Sequence, residues 1–282
     1  MDNNTTDELK KIWKDIFQDS DTYIDNVFNG ISNDQAFYIK DVGNIVSMAF
    51  MTPYDLKVND RIVKCGYFFG AATLPEKRNK GYMEKIIDMT KIAAKKNNMS
   101  AIILIPATTS LFNYYKRFDF RMAFGYSLKM FSSSVSKKEI SDYELIGIKN
   151  DLETYDFFSL AERKKDISIL HSKDQFDKIL LEYTEDNFHS LALVDKNSGT
   201  ICALLFAEPT DNGSFIVKDI LFLDSNYRDI SLELFLKVIN KQEIIVKEAS
   251  NNISSIPFAM IYDISNEDTA NIEKGYISLM ME

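Results

Sequence analysis

Residues 73–96, TLPEKRNKGYMEKIIDMTKIAAKK, constrain this chain more than any other stretch. They lie between two apolar runs, RIVKCGYFFGAATL (61–74) and AIILIPA (101–107). The first run is strand-like, with a hairpin turn expected at Val58-Asn59-Asp60. The second is short, continuous and apolar, the pattern of a strand buried on both faces. Between them, Met83, Ile86, Ile87, Ala93 and Ala94 fall near one side of a helix, while Glu84, Lys85, Asp88, Lys91 and Lys95 fall elsewhere. The spacing therefore predicts strand, loop, helix and strand in succession, with the helix packed on a sheet.

The loop KRNKG opens that helix. Unpaired backbone N–H groups at a helix start carry positive partial charge, so such a junction holds a phosphate without needing any particular side chain. Gly81 lets the backbone approach an anion closely, and Lys77, Arg78 and Lys80 add charge. A solvated helix start with clustered lysines has the same composition, and it is the commoner meaning of a lone R-x-x-G. Context has to decide between them.

The flanking segments supply that context. DELKKIWKDIFQDSDTYIDNVF carries apolar residues at helical spacing and reads as two helices broken around Asp19 to Asp21. AFYIKD and NIVSMAFMTPYDL follow as strands, LFNYYKRF as a short helix and MAFGYSLKMF as another strand. SSSVSKKEISD, residues 132–142, is polar and aperiodic and is expected to be a linker. A chain of 282 residues suggests two domains, here 1–131 and 143–282. The second half repeats the coarse order of the first: helices LETYDFFSLAER and KDQFDKILLEY, strands HSLALVD, TICALLFAEP and SFIVKDILFL, helix SLELFLKVINK, then strands EIIVKEA, PFAMIYDI and YISLMME.

Charge and scarce residue types narrow the function. A formal charge of −9 and a pI near 4.9 disfavour nucleic acid and anionic membrane as partners, whereas a small cationic substrate fits. Cys65 and Cys202 stand far apart and suggest neither a zinc site nor a disulfide framework. His171 and His189 are the only histidines, too few for a histidine-based metal site or triad, and are expected at the surface or partly packed. Neither a secretory leader nor a run of ~20 apolar residues is seen, so no membrane insertion and a cytoplasmic location are expected.

Two motifs together carry a family resemblance. Arg78-Asn79-Lys80-Gly81-Tyr82-Met83 resembles the Q/R-x-x-G-x-G/A pyrophosphate loop of the GNAT superfamily of N-acetyltransferases, with Met83 where Gly or Ala is commoner. Tyr114-Tyr115-Lys116-Arg117-Phe118-Asp119-Phe120 resembles the F-Y-x-R/K-x-G-F segment of the same superfamily, preceded by Ile105-Pro106-Ala107. Asp119 replaces a glycine, and Asp tolerates the left-handed backbone region. The resemblance covers roughly residues 8–130 and is nearest to two-domain bacterial members related to the enhanced-intracellular-survival acetyltransferases. It implies an α+β fold with a mixed, mostly antiparallel central sheet flanked by helices, and a second, degenerate domain of the same kind. LDSNYRD, ahead of the later helix, lacks the R-x-x-G pattern, so one acyl-CoA site per chain is expected.

The resemblance also assigns roles. Acetyl-CoA is the implied co-substrate, with no metal; backbone groups of Ala71, Ala72 and Thr73 would hold the pantetheine arm, and Arg78, Asn79, Lys80, Gly81, Tyr82 and Met83 the pyrophosphate. Tyr115 occupies the general-acid position, where a phenol of ordinary pKa ~10 suits donation to a thiolate. In the relatives the terminal carboxylate serves as base, which here would be Glu282. Asp19, Asp21 and Asp25 are alternatives, set against the reading of a solvated helix face. The implied function is acetyl transfer to a primary amine of a small molecule or a protein. The competing reading is a catalytically silent acyl-CoA-binding module, and the acidic pI argues against transfer from charged tRNA.

Overall fold

The computed structural model describes residues 2–133, 140–184, 188–250, 255–265, 272 and 275–280. The chain divides into two compact units, one built from Met1–Ala123 with Phe258–Ile272, the other from Phe124–Pro257 with Glu273–Met280.

In chain order the first unit contains α1 (Asn3–Phe17), α2 (Asp21–Phe28), β1 (Ala36–Asp41), β2 (Asn44–Val58), β3 (Arg61–Thr73), α3 (Tyr82–Lys96), β4 (Ala101–Leu104), α4 (Thr109–Lys116) and β5 (Arg121–Met122). The second contains β6 (Gly125–Ser132), β7 (Tyr143–Gly147), α5 (Leu152–Arg163), β8 (Ile167–Leu170), α6 (Lys173–Glu182), β9 (His189–Asp195), β10 (Ile201–Pro209), β11 (Phe215–Phe222), α7 (Asn226–Val238), β12 (Glu243–Ala249) and β13 (Ile256–Pro257). The chain then returns to the first unit as β14 (Met260–Asp263).

Local chemistry explains the helix breaks. Asp2 and Ser20 accept hydrogen bonds from Thr5 N and Tyr23 N and so cap α1 and α2, and Gln18 ends α1 in the left-handed region at φ 62°. The expected interruption near Asp19 is present. So is the hairpin turn, with Asn59 at φ 54° joining β2 to β3.

The first sheet runs β1-β2-β3-β4-β14-β5. Along that order the strands pair antiparallel except β3 with β4, which are parallel and joined by α3. One face packs Phe37, Ala49, Met51, Phe68 and Ile102 against Ile86 and Ile87 of α3. On the other, Trp13 of α1 meets the rings of Phe28, Phe50 and Phe69 at centroid distances of 5.9, 5.8 and 6.3 Å. The second sheet runs β13-β6-β12-β11-β10-β9-β7, again with one parallel pair, β11 with β12, joined by α7.

Three sequence expectations change. A boundary at 131/143 is not where the compact units part: Gly125–Ser132 pairs along β12 in the second unit, and Met260–Asp263 sits between β4 and β5 in the first. Residues 134–139 of the expected linker lie outside the described residues. His171 is buried, its Nδ1 2.6 Å from Glu162 Oε1, and the same carboxylate accepts the His171 backbone N–H. YISLMME is not a strand over its described part, 276–280. Only Tyr276 bridges, to Ser168, and Leu279 at φ 53° breaks the extended run.

Candidate active site

The site begins with an irregularity in β3. Opposite Met48 to Phe50 of β2 the register shifts, leaving one extra residue in β3 at Gly70-Ala71. Gly70 has φ +59°, and a Cβ there would stand 2.4 Å from Trp13 Cζ3 and 2.9 Å from Phe50 Cδ2. Both backbone and space demand glycine. A glycine inside a strand pattern is a bulge signal, and Gly70 is that signal in the sequence of β3. Beyond the bulge the strands part: β3 pairs with β4 only from Cys65↔Ala101 to Phe68↔Leu104, while β3 continues to Thr73. Ala71, Ala72 and Thr73 therefore line an open notch. The Ala72 carbonyl already accepts from Ser47 Oγ at 3.0 Å, and the Thr73 carbonyl accepts from Arg78 Nε at 3.2 Å.

The loop 74–81 turns from this notch into α3. Asn79 (φ 61°) and Gly81 (φ 77°) both take left-handed backbone, and Gly81 is the N-cap with no side chain to occupy the helix end. The N–H groups of Tyr82, Met83 and Glu84 have no acceptor within the helix, since its first bond is Lys85 N to Gly81 O. They point a positive partial charge out of α3.

The basic side chains behave less uniformly than their clustering suggests. Arg78 lines the cavity; Lys80 does not. Lys77 lines it but is held by Asp41, whose Oδ2 accepts from Lys77 Nζ at 2.7 Å and from the Tyr82 hydroxyl at 3.1 Å. The Lys77 hydrogen bond, then that of Tyr82, keeps the Asp41 carboxyl below its ordinary range, while Lys77 is raised by the same contact. Asp41 carried no sequence signal. Met83 lines the cavity and packs its side chain on the α3 core.

From the far side α4 contributes Leu111, Tyr114 and Tyr115, followed by Arg117 and Phe118. Asp119 sits at φ 64°, the left-handed conformation that the glycine of the motif would adopt. Tyr115 is 6% exposed and edge-on to Phe68, Tyr114 and Phe120. Burial, with a smaller contribution from Tyr114, pushes its phenol well above the ordinary value of 10. It stays protonated at neutral pH and is a weaker acid than the phenol of ordinary pKa expected from the sequence.

These elements enclose a cavity of about 530 Å3, with Ile16 of α1 at its wall. The structure thus brings together Ala71, Ala72, Thr73, Arg78, Asn79, Gly81, Tyr82, Met83 and Tyr115. Helix-start amides and Arg78 suit an anion, the notch edge suits an extended chain, and the apolar ring wall surrounds a phenol. The alternative bases face elsewhere: Asp19 accepts from Trp13 Nε1 at 2.7 Å, Asp21 pairs with Lys14 and Asp25 with Lys10. Glu282 lies outside the described residues.

Comparison with known proteins bears on the family and the fold. Residues 1–123 match the family described as acetyltransferase (GNAT) domain. No curated protein matches the chain. Among solved structures, a conserved Enterococcus faecalis protein of unknown function, a probable N-acyltransferase, superposes with TM-score 0.78 at 10% identity, covering 95% of this chain and 73% of that one. A GCN5-related N-acetyltransferase from Anabaena variabilis gives TM-score 0.71 at 14% identity over 92% and 70%. Eis1 from Mycobacterium abscessus gives TM-score 0.68 at 8% identity over 95% and 73%. At these identities the likeness is one of fold.

Proposed function

We propose that the chain, whose residues 1–123 match the acetyltransferase (GNAT) domain family, is an acyltransferase that moves acetyl from acetyl-CoA to a primary amine of a small molecule or protein. The observation that carries this is the single cavity joining the Ala71 to Thr73 edge, the α3 amides with Arg78, and Tyr115. The coenzyme diphosphate would rest on the amides of Tyr82, Met83 and Glu84, and the pantetheine arm along the edge that β4 leaves open. Asn79 and Gly81 contribute backbone that approaches the anion closely. Lys80, outside the cavity lining, would act only through its charge.

The neutral amine nitrogen attacks the thioester carbonyl carbon; a C–N bond forms and the C–S bond breaks as the tetrahedral intermediate collapses. The departing sulfur takes a proton from Tyr115, and the proton lost by the amine balances it. Tyr115 supplies a donor already protonated before attack. Proton removal from the amine is assigned to the terminal carboxylate of Glu282, tested by blocking that carboxylate as an amide, which should lower kcat while acetyl-CoA still binds. A silent coenzyme-binding module is the second reading, favoured by the weakened acidity of Tyr115.

The test is thermal. Acetyl-CoA at a hundredfold excess over its Kd stabilises the protein by ~2.7 kcal/mol, and Arg78→Ala combined with Gly81→Glu abolishes the shift. Absence of any shift in the wild type sinks the proposal. Thiol release across polyamines, aminoglycosides and lysine peptides then separates the enzyme from the silent module.

A further inference from the structure

Asp41 stands where β1 ends and the turn of Val42 (φ 51°) and Gly43 (φ 86°) leads into β2, with Asp41 and Asn44 paired across it. Its single atom Oδ2 accepts from Lys77 and from Tyr82, the two residues that bracket Arg78-Asn79-Lys80-Gly81. Lys77 and Tyr82 line the cavity; Asp41 does not. One carboxylate oxygen, on a different strand, therefore ties both ends of the anion loop.

A carboxylate this close to a diphosphate site opposes binding unless its charge is matched, and here Lys77 matches it. What remains is geometry. The loop holds Asn79 and Gly81 in left-handed conformations, a state that a free loop visits only part of the time. A ligand that must order such a loop loses affinity to the ordering. We infer that Asp41 is a positioning residue: by holding Lys77 and Tyr82 it keeps the amides of Tyr82, Met83 and Glu84 aimed at an anion, without itself touching the coenzyme. The inference rests on the acetyl-CoA reading of the same cavity.

Two arms test it on the full chain. In the first, hydrogen exchange of residues 78–84 is compared between the ligand-free wild type and Asp41→Asn. Loop amides exchange about tenfold faster in the variant, with far-UV circular dichroism unchanged. In the second, Asp41→Asn raises KM for acetyl-CoA about tenfold while kcat stays within about twofold, because the reacting atoms keep their surroundings. Tyr82→Phe, which removes one hydrogen bond and no charge, shifts both readings in the same direction by less. It also serves where Asp41→Asn does not fold. Combining Asp41→Asn with Lys77→Met adds little, since both break one clamp. Unchanged loop exchange in a folded Asp41→Asn overturns the inference, and so does tighter acetyl-CoA binding through a released Lys77. A wild type that does not bind acetyl-CoA, but whose loop loosens in Asp41→Asn, keeps the clamp and overturns the coenzyme reading.

Discussion

Two glycines of the site offer a controlled comparison, because both sit in the left-handed region and only one is crowded. At Gly81 (φ +77°) an added Cβ meets nothing within 4 Å. Gly81→Ala is therefore expected to lose only the backbone preference, about 1–2 kcal/mol, partly offset by a stiffer unfolded chain. At Gly70 (φ +59°) the same preference is joined by contacts of 2.4 Å to Trp13 Cζ3 and 2.9 Å to Phe50 Cδ2. Both rings are buried, 5% and 0% exposed, so neither can swing aside, and overpacking adds about 1–3 kcal/mol. Gly70→Ala should thus cost about 2–5 kcal/mol in total. Trp13 is the chain's single tryptophan and belongs to the first unit, so its fluorescence in urea reports that unit alone. Both variants should keep the wild-type m-value, with Gly70→Ala showing the far lower midpoint. In a Trp13→Phe background, followed by circular dichroism, the six-membered indole ring is gone and the Gly70→Ala penalty should shrink toward that of Gly81→Ala. Equal penalties at the two glycines in the wild-type background would refute the idea that space against α1 fixes the bulge.

Other expectations concern chemistry and the second unit. Tyr115→Phe should lower kcat by about a hundredfold or more with KM for acetyl-CoA unchanged; a drop confined to KM would remove the phenol from the chemistry. Asp219 is 5% exposed, and burial lifts its carboxyl from 3.8 to about 6 against the smaller pull of Lys165. Between those pH values the unfolded chain ionises this group while the folded one stays protonated, so stability falls by about 3 kcal/mol as pH rises. Asp219→Asn should therefore gain Tm over the wild type at pH 8, and the gain should vanish near pH 4; a gain independent of pH counts against it. Ending the chain at Pro257 removes β14 and leaves β4 and β5 without the strand between them. Native Trp13 fluorescence should be lost, and its retention would show that the first unit closes without β14.

What the sequence disclosed, and what it withheld, follow the range of the interactions. The amphipathic spacing of 83–94, the apolar run 101–104 and the breaks near Gln18 and Asn59 are local, and each appears as read. That loop 74–81 and Tyr115 line one cavity is legible because strand, loop and helix are contiguous and the second motif follows at a set distance. Pairing between distant strands leaves no comparable trace. Gly125–Ser132 and Met260–Asp263 are short strands, and nothing in their residues tells which sheet takes them. Asp41 lies 36 residues from Lys77 and 41 from Tyr82, and only the hairpin carries it to the loop. That Lys77 and Arg78 line the cavity while Lys80 does not is likewise not readable from composition.

The second unit shows how little topology alone decides. Its β11, α7 and β12 repeat the arrangement of β3, α3 and β4, with a parallel register limited to Ile216↔Ile245 and Val217↔Val246 and a bulge that leaves Lys218 as the extra residue. In the first unit that position is a glycine fitted under a tryptophan, and the loop 74–81 gives the backbone room to turn its amides outward. In the second, only residues 223–225 separate β11 from α7, none of them glycine. The Lys218 carbonyl meets Ser278 Oγ at 3.4 Å, so the edge that an extended ligand would use is taken by the chain's own buried segment 276–280. Lys165, 3.3 Å from the centre of the Tyr276 ring, and the buried Asp219 attract each other beside that segment. The same frame therefore yields an open notch in one unit and an occupied one in the other. The difference lies in one glycine, one loop length and the segment 276–280 that lies against the second unit's edge.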